Sequence, residues 1–224
     1  MVNILLDRYQ LDADWLRPHL RPYLLPQHKV CVVAFSFRDN RVKCAADWQL
    51  LYGKAGSKLY SGIVSSLMAY GITEENIVFL DYFTDTKETA KAKVKQADVL
   101  YFLGGLPDRM YQRLEEFDLL NSMTKHNGVV IGYSAGAAIQ LKEYHLSPDG
   151  DYPAFGYYPG LPYVDSMYLE VHYTGSDVQD KSIVRVLKEK HKPVYTTCET
   201  GGVIVENGRP RCIGDAQVFW PDIP

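Results

Sequence analysis

Two textures alternate along the first two thirds of this chain, and that alternation limits what it can fold into. Short apolar runs bounded by turn formers, at residues 4–6, 29–35, 76–80, 99–103 and 129–133, read as strands. Between them apolar residues recur every three or four positions at 14–23 (interrupted near Pro18 and Pro22), 46–70, 87–96 and 107–126, which predicts helices. Gly71 is placed to close the second of these, and Thr86 with Thr89 to cap the third. Strands apolar on both faces and joined by helical crossovers imply an α/β fold, a mostly parallel sheet flanked by helices on both faces. Ligands of such a sheet sit at the C-terminal ends of its strands.

After Ser147 the texture changes. Residues 147–153 and 157–162 are rich in turn formers and aromatics and read as a structured loop with one strand at most. A helix is expected at 177–190, followed by short strands at 194–197, 202–206, 209–213 and 217–220, with Asn207-Gly208 as a hairpin turn. There is no internal repeat or low-complexity tract, so a single domain over 1–224 is the simplest organisation. With 24 basic against 27 acidic residues and no block of either sign, nucleic acid is not the expected main partner. The apolar runs are far short of the roughly 20 residues a membrane span needs, and the start lacks a basic leader with an apolar core, so a cytoplasmic protein is expected. Cys31, Cys44, Cys198 and Cys212 form no Cys-x-x-Cys pair, and buried free thiols are expected rather than a disulfide or metal site.

The sharpest chemical signal is Gly132-Tyr133-Ser134-Ala135-Gly136, directly after an apolar strand and before a helical run. A G-x-S-x-G at such a junction is a nucleophile elbow: a strained turn projects the Ser134 hydroxyl above the sheet, and the N–H of Ala135 points to where an oxyanion would form. The same small residues also occur where a helix packs closely on a sheet. One strand earlier, Gly104-Gly105 makes another strand-to-helix turn, either a plain tight loop or the source of a second oxyanion donor. Of six histidines, His172 ends an apolar strand-like run and precedes a turn that opens a helix, which makes it the candidate base, with a structural role the alternative. Glu199, before a glycine turn, is the candidate carboxylate to orient the imidazole, with Asp165 and Glu170 as competitors.

At Ser134, His172 and Glu199 the chain resembles the family of serine peptidases that contains dipeptidase E and cyanophycinase. The elbow is similar to that family's G-x-S-A-G, Gly104-Gly105 to its glycine pair, and the order Ser, His, Glu to its own. The resemblance runs from about Val99 to the C-terminus and more loosely over the first half. It implies a class I glutamine amidotransferase-like fold, Ser134 as nucleophile, His172 as general base and Glu199 as its orienter. The N–H groups of Ala135 and of Gly105 or Gly104 would form the oxyanion hole. Where the family commonly has Asn-Thr after the glycine pair, this chain has Leu106-Pro107. In dipeptidase E an acidic residue after the elbow helix holds the substrate's amino group; Asp149 or Asp151 stands at a comparable offset, and Arg109 or Arg38 is a candidate partner for an acidic side chain.

The expected function is therefore hydrolysis of a small peptide, such as a dipeptide with an acidic N-terminal residue, through an acyl-enzyme and without metal or organic cofactor. The oligomeric state, monomer or homodimer, is left open. Two other readings remain: an esterase of the α/β-hydrolase type, whose usual order Ser, acid, His does not suit a chain with no histidine after His191, and a non-catalytic binding module using the Tyr-rich segment 152–163.

Overall fold

Each apolar run of the first half becomes a strand in the computed structural model, which describes residues 1–221. The strands are β1 (Val2–Leu6), β2 (Val30–Val33), β3 (Ile77–Leu80), β4 (Val99–Phe102) and β5 (Val129–Tyr133), then β6 (Glu143–Leu146), β7 (Gly156–Pro159), β8 (Tyr168–Glu170), β9 (Val194–Thr196), β10 (Gly201–Glu206), β11 (Arg209–Gly214) and β12 (Gln217–Phe219). The helices are α1 (Arg17–Leu20), α2 (Ala45–Tyr52), α3 (Lys58–Met68), α4 (Lys87–Gln96), α5 (Pro107–Glu116), α6 (Leu120–Thr124), α7 (Ala135–Ala138) and α8 (Asp177–Lys190). The central sheet has seven strands in the order β11-β10-β1-β5-β4-β2-β3. β1 to β5 run parallel to one another, and β10 and β11 add an antiparallel edge.

Period-2 alternation sends successive strand residues to opposite faces. Ile4, Val30, Val32, Tyr101 and Ile131 pack on one face with residues from α2 and α3. Cys31, Val33, Leu100, Phe102 and Val130 pack on the other with α4 to α6. Leu5 and Val203 meet α7 and the small sheets β6-β7 and β12-β9-β8. A mostly parallel sheet covered on both faces is thus what the alternating texture implies.

Several boundaries differ from the sequence reading. The stretch expected as one helix over 46–70 is two, α2 and α3, parted at Gly53 and Gly56, and the stretch over 107–126 divides into α5 and α6 at Asp118, whose φ of 54° ends the first. Only Arg17–Leu20 of the first expected helix is helical, because Pro22 removes the donor that would extend it. The elbow helix stops at Ala138, and residues 143–146, not expected as a strand, pair with Gly156–Pro159. The expected caps are present: Thr86 and Thr89 exchange side-chain bonds with each other's backbone N–H, and Gly71 (φ +84°) ends the turn after α3. Asn207 and Gly208 take the positive φ values of a hairpin turn. Cys31 is buried, its thiol pushed up to about 12 by burial. Cys44 is exposed and Cys198 and Cys212 are half-buried, against expectation.

Candidate active site

The C-terminal ends of β1, β4 and β5 are neighbours or near neighbours in the sheet, so the residues that follow them converge. A cleft of about 750 Å³ opens there, lined by Asp7, Arg8, Tyr9, Gln10, Trp15, Gly104, Gly105, Tyr133, Ser134, His172 and Glu199, among others. Ser134 follows β5 directly and has φ 53° and ψ −120°, a conformation that L side chains rarely adopt. Its amide donates to the Leu6 carbonyl at 2.9 Å, and α7 begins at the next residue. Gly136 leaves room for the turn: a Cβ there would meet the Phe102 carbonyl on β4.

His172 lies beyond β8 and also has a positive φ, 54°. Its Nε2 is 2.7 Å from Ser134 Oγ, and its Nδ1 is 2.8 Å from Asp7 Oδ1. The same Asp7 oxygen accepts the His172 backbone N–H at 2.8 Å, so one carboxylate fixes both the ring and the backbone that carries it. An ionised carboxylate only accepts, so the ring proton sits on Nδ1 and Nε2 presents its lone pair to the serine hydroxyl. From the far side the Gln179 side chain of α8 donates to the carbonyls of His172 (3.0 Å) and Val171 (3.4 Å) and to Glu170 (3.1 Å). Asp7 is buried, 3% exposed, and its second oxygen faces Arg8 Nε at 3.2 Å.

The carboxylate in contact with the imidazole is thus Asp7 and not Glu199. Sheet order supplies the reason. β1 lies between β5 and β10, with Leu6 opposite both Tyr133 and Gly202, so the residue after β1 stands beside Ser134. Glu199, in the turn that leads into β10, is one strand further away. It is exposed on the wall of the same cleft and has no hydrogen-bond or ion-pair partner among the described residues. Asp7 was legible by the same logic that singled out Glu199, a charged residue ending an apolar strand at the ligand-binding edge, but it precedes the stretch on which the resemblance rests. Of the competitors, Asp165 pairs with Lys142 and Lys192. Glu170 is buried against His145 (2.7 Å) and Ser147 (2.7 Å).

The glycine turn after β4 is held to the strand beside it. Ser36 Oγ donates to the Gly104 carbonyl (2.6 Å), and the Leu106 N–H donates to the Ser36 carbonyl (2.7 Å). Gly105 has φ 142°, and any Cβ there would strike the Ser36 carbonyl, so only glycine fits. Among the described residues neither the Gly105 nor the Ala135 N–H has a protein acceptor. Gly104 is covered by the Tyr133 ring. Burial pushes the Tyr133 hydroxyl up to about 12, while the Gly104 backbone amide acts on it in the opposite direction.

The candidates for binding substrate, Asp149, Asp151, Arg38 and Arg109, do not line this cleft. Asp149 accepts the backbone N–H groups of Asp151 (2.8 Å) and Tyr152 (2.7 Å), a turn-forming role. It borders a separate hollow of about 290 Å³ on the far side of His172. Asp151 pairs with Arg38, and Arg109 with Asp39 at 3.4 Å. Arg8, Tyr9, Gln10 and Trp15, not singled out from the sequence, line the cleft in their place.

A family model described as Peptidase family S51 matches residues 65–213. No curated protein matches. Among solved structures, a protein described as peptidase E from Listeria monocytogenes EGD-e is similar over 95% of this chain and 98% of its own, at 16% identity and a TM-score of 0.67. A peptidase from an acI-B1 Actinobacterium is similar over 98% of this chain and 90% of its own, at 16% identity and a TM-score of 0.65. Both likenesses concern the fold.

Proposed function

Since the chain belongs to peptidase family S51 and is a serine-type peptidase, we propose that it hydrolyses small peptides through an acyl-enzyme on Ser134, with His172 as general base and Asp7 as the carboxylate that orients it. The observation that carries this reading is the unbroken chain from Ser134 Oγ to His172 Nε2 (2.7 Å) and from His172 Nδ1 to Asp7 (2.8 Å), built on a strained elbow. Ser134 Oγ attacks the peptide carbonyl carbon as its proton passes to Nε2. The carbonyl oxygen, now negative, receives the free N–H groups of Gly105 and Ala135. The C–N bond breaks as Nε2 gives its proton to the departing amine. Water then repeats the sequence on the ester, leaving its proton on Nε2 and from there on Ser134, and the acid is released. Asp7 keeps the ring in the productive tautomer and balances the imidazolium that forms twice in each cycle.

The test is turnover of a dipeptide library, led by Asp-Xaa and Glu-Xaa members, together with labelling by a fluorophosphonate. Wild type is expected to be labelled at Ser134 and to release a free N-terminal residue, and Ser134→Ala to do neither. Hydrolysis unchanged in Ser134→Ala would overturn the assignment.

A further inference from the structure

His172 holds a strained backbone, φ 54°, at the point from which its ring reaches Ser134. Among the described residues neither its N–H nor its carbonyl bonds to another backbone group: Asp7 accepts from the first at 2.8 Å, and the Gln179 side chain donates to the second at 3.0 Å. We propose that Gln179, on the first turn of α8, is a positioning residue for the imidazole. Its amide fixes the main chain that carries the ring and so sets the reach of Nε2 to the serine hydroxyl. The inference rests on the proposed peptidase reading and adds to it a residue that lies outside the cleft around Ser134.

The neighbours of the amide dictate which way it faces. Glu170 is buried, 5% exposed, and one of its oxygens is engaged by His145 Nε2 and Ser147 Oγ, both at 2.7 Å. Its other oxygen lies 3.1 Å from Gln179 Nε2, and an ionised carboxylate only accepts, so the NH2 of Gln179 points this way. The two amide hydrogens then serve Glu170 and the His172 carbonyl, with the Val171 carbonyl at 3.4 Å as a marginal third acceptor. The amide oxygen turns the other way and accepts from the Thr174 N–H (3.0 Å), the Thr174 hydroxyl (3.1 Å) and the Ser176 hydroxyl (3.2 Å). One side chain thus brackets His172 from residue 170 to residue 174, and its anchor Glu170 is itself held by residues at the end of β6. Capping of α8 does not require this arrangement, because Ser176 already caps the helix by accepting the Gln179 N–H at 3.4 Å. The donor half of the amide serves groups outside the helix. A positive φ at a residue other than glycine persists only where its surroundings over-determine it, and a small misplacement of a reacting group is costly in rate.

The experiment follows the rate at which a fluorophosphonate labels Ser134, a reaction that needs the base but no peptide. Gln179→Met keeps the length and removes both hydrogen-bonding halves, and it is expected to slow labelling about tenfold or more. Gln179→Lys returns a donor for the His172 and Glu170 acceptors and should recover most of that loss. Gln179→Ala carries the same expectation as Gln179→Met, so the result does not hang on one variant, and each is assayed below its melting temperature. In a His172→Ala background, Gln179→Met should change the residual rate by less than about twofold, because no ring is left to place. For any dipeptide that wild type cleaves, the loss should fall on kcat, with KM within about twofold. Labelling at the wild-type rate in a folded Gln179→Met or Gln179→Ala would overturn the inference. So would a loss that persists undiminished in the His172→Ala background, one that a folded Gln179→Lys fails to relieve, or one confined to KM. Wild type that is not labelled at all would instead sink the peptidase reading itself.

Discussion

Asp7 makes three polar contacts from a nearly dry position, to the His172 ring, the His172 backbone and Arg8. Asp7→Asn keeps its size but offers the ring an amide, which can donate and so stabilise the wrong tautomer. The expected cost is about 10⁴-fold in kcat, the magnitude such a change has in another serine-protease triad, with the melting temperature as a check that folding is preserved. Gly105→Ala acts on the oxyanion side: its new methyl meets the Ser36 carbonyl, so the loop shifts and one donor leaves its place. A loss of about 10²–10³ in kcat is expected, with ester and peptide substrates affected alike. Ser134 and His172, whose side chains meet, were legible because each ends an apolar run at a turn. The carboxylate that touches the ring was not, because two acidic residues satisfy that local criterion and only the order of β10, β1 and β5 decides between them.

The elements explain why a helix as short as α7 can anchor the strained turn at Ser134. Gln140, fully buried just beyond it, donates to the Gly136 carbonyl (3.0 Å) and the Ile4 carbonyl (3.4 Å) and accepts from Asn3 Nδ2 (3.0 Å). This side chain ties the elbow to β1, the strand that ends in Asp7. Gln140→Leu fills the space yet strands the Asn3 amide and two carbonyls, and it is expected to lower unfolding free energy by about 1–3 kcal/mol, measurable by urea denaturation. Helix and strand identity was readable from apolar period. The interruptions in the two long helices were not, since periodic residues continue on both sides of Gly53 and Asp118 and only the backbone turn there separates α2 from α3 and α5 from α6. Residues 143–146 were missed for a related reason: their pairing partner is Gly156–Pro159, across a loop whose path local sequence does not fix.

For the molecule as a whole, the ionisable groups define a pH range of stability. Hydrogen bonds from Lys192 and Lys142 hold Asp165 below the ordinary carboxylate range, and one from Arg38 does the same for Asp151. Their contribution is full above the unfolded value of about 4 and is lost as pH falls through the lower folded values. Burial lowers His126, so it too favours higher pH, through the region just below its unfolded value of about 6.5. At the other limit burial raises Tyr70 and Tyr133 to about 12, a contribution complete below about 10 and lost as pH rises through the folded values. The melting temperature is therefore expected to be flat between about pH 7 and 8 and to fall on both sides, the buried Cys31 thiol starting the alkaline limb before the tyrosines, with Lys192→Met showing a shallower acid limb. The register of β1 has a further consequence, for synthesis. Leu6 pairs with Tyr133 and with Gly202, so of all the strands the one made first must wait for nearly the whole chain before it acquires both neighbours. A nascent chain halted before β8 lacks His172 altogether and leaves Asp7 without its ring. The proposed hydrolytic activity is therefore expected to appear only once synthesis has passed the residues that complete the sheet.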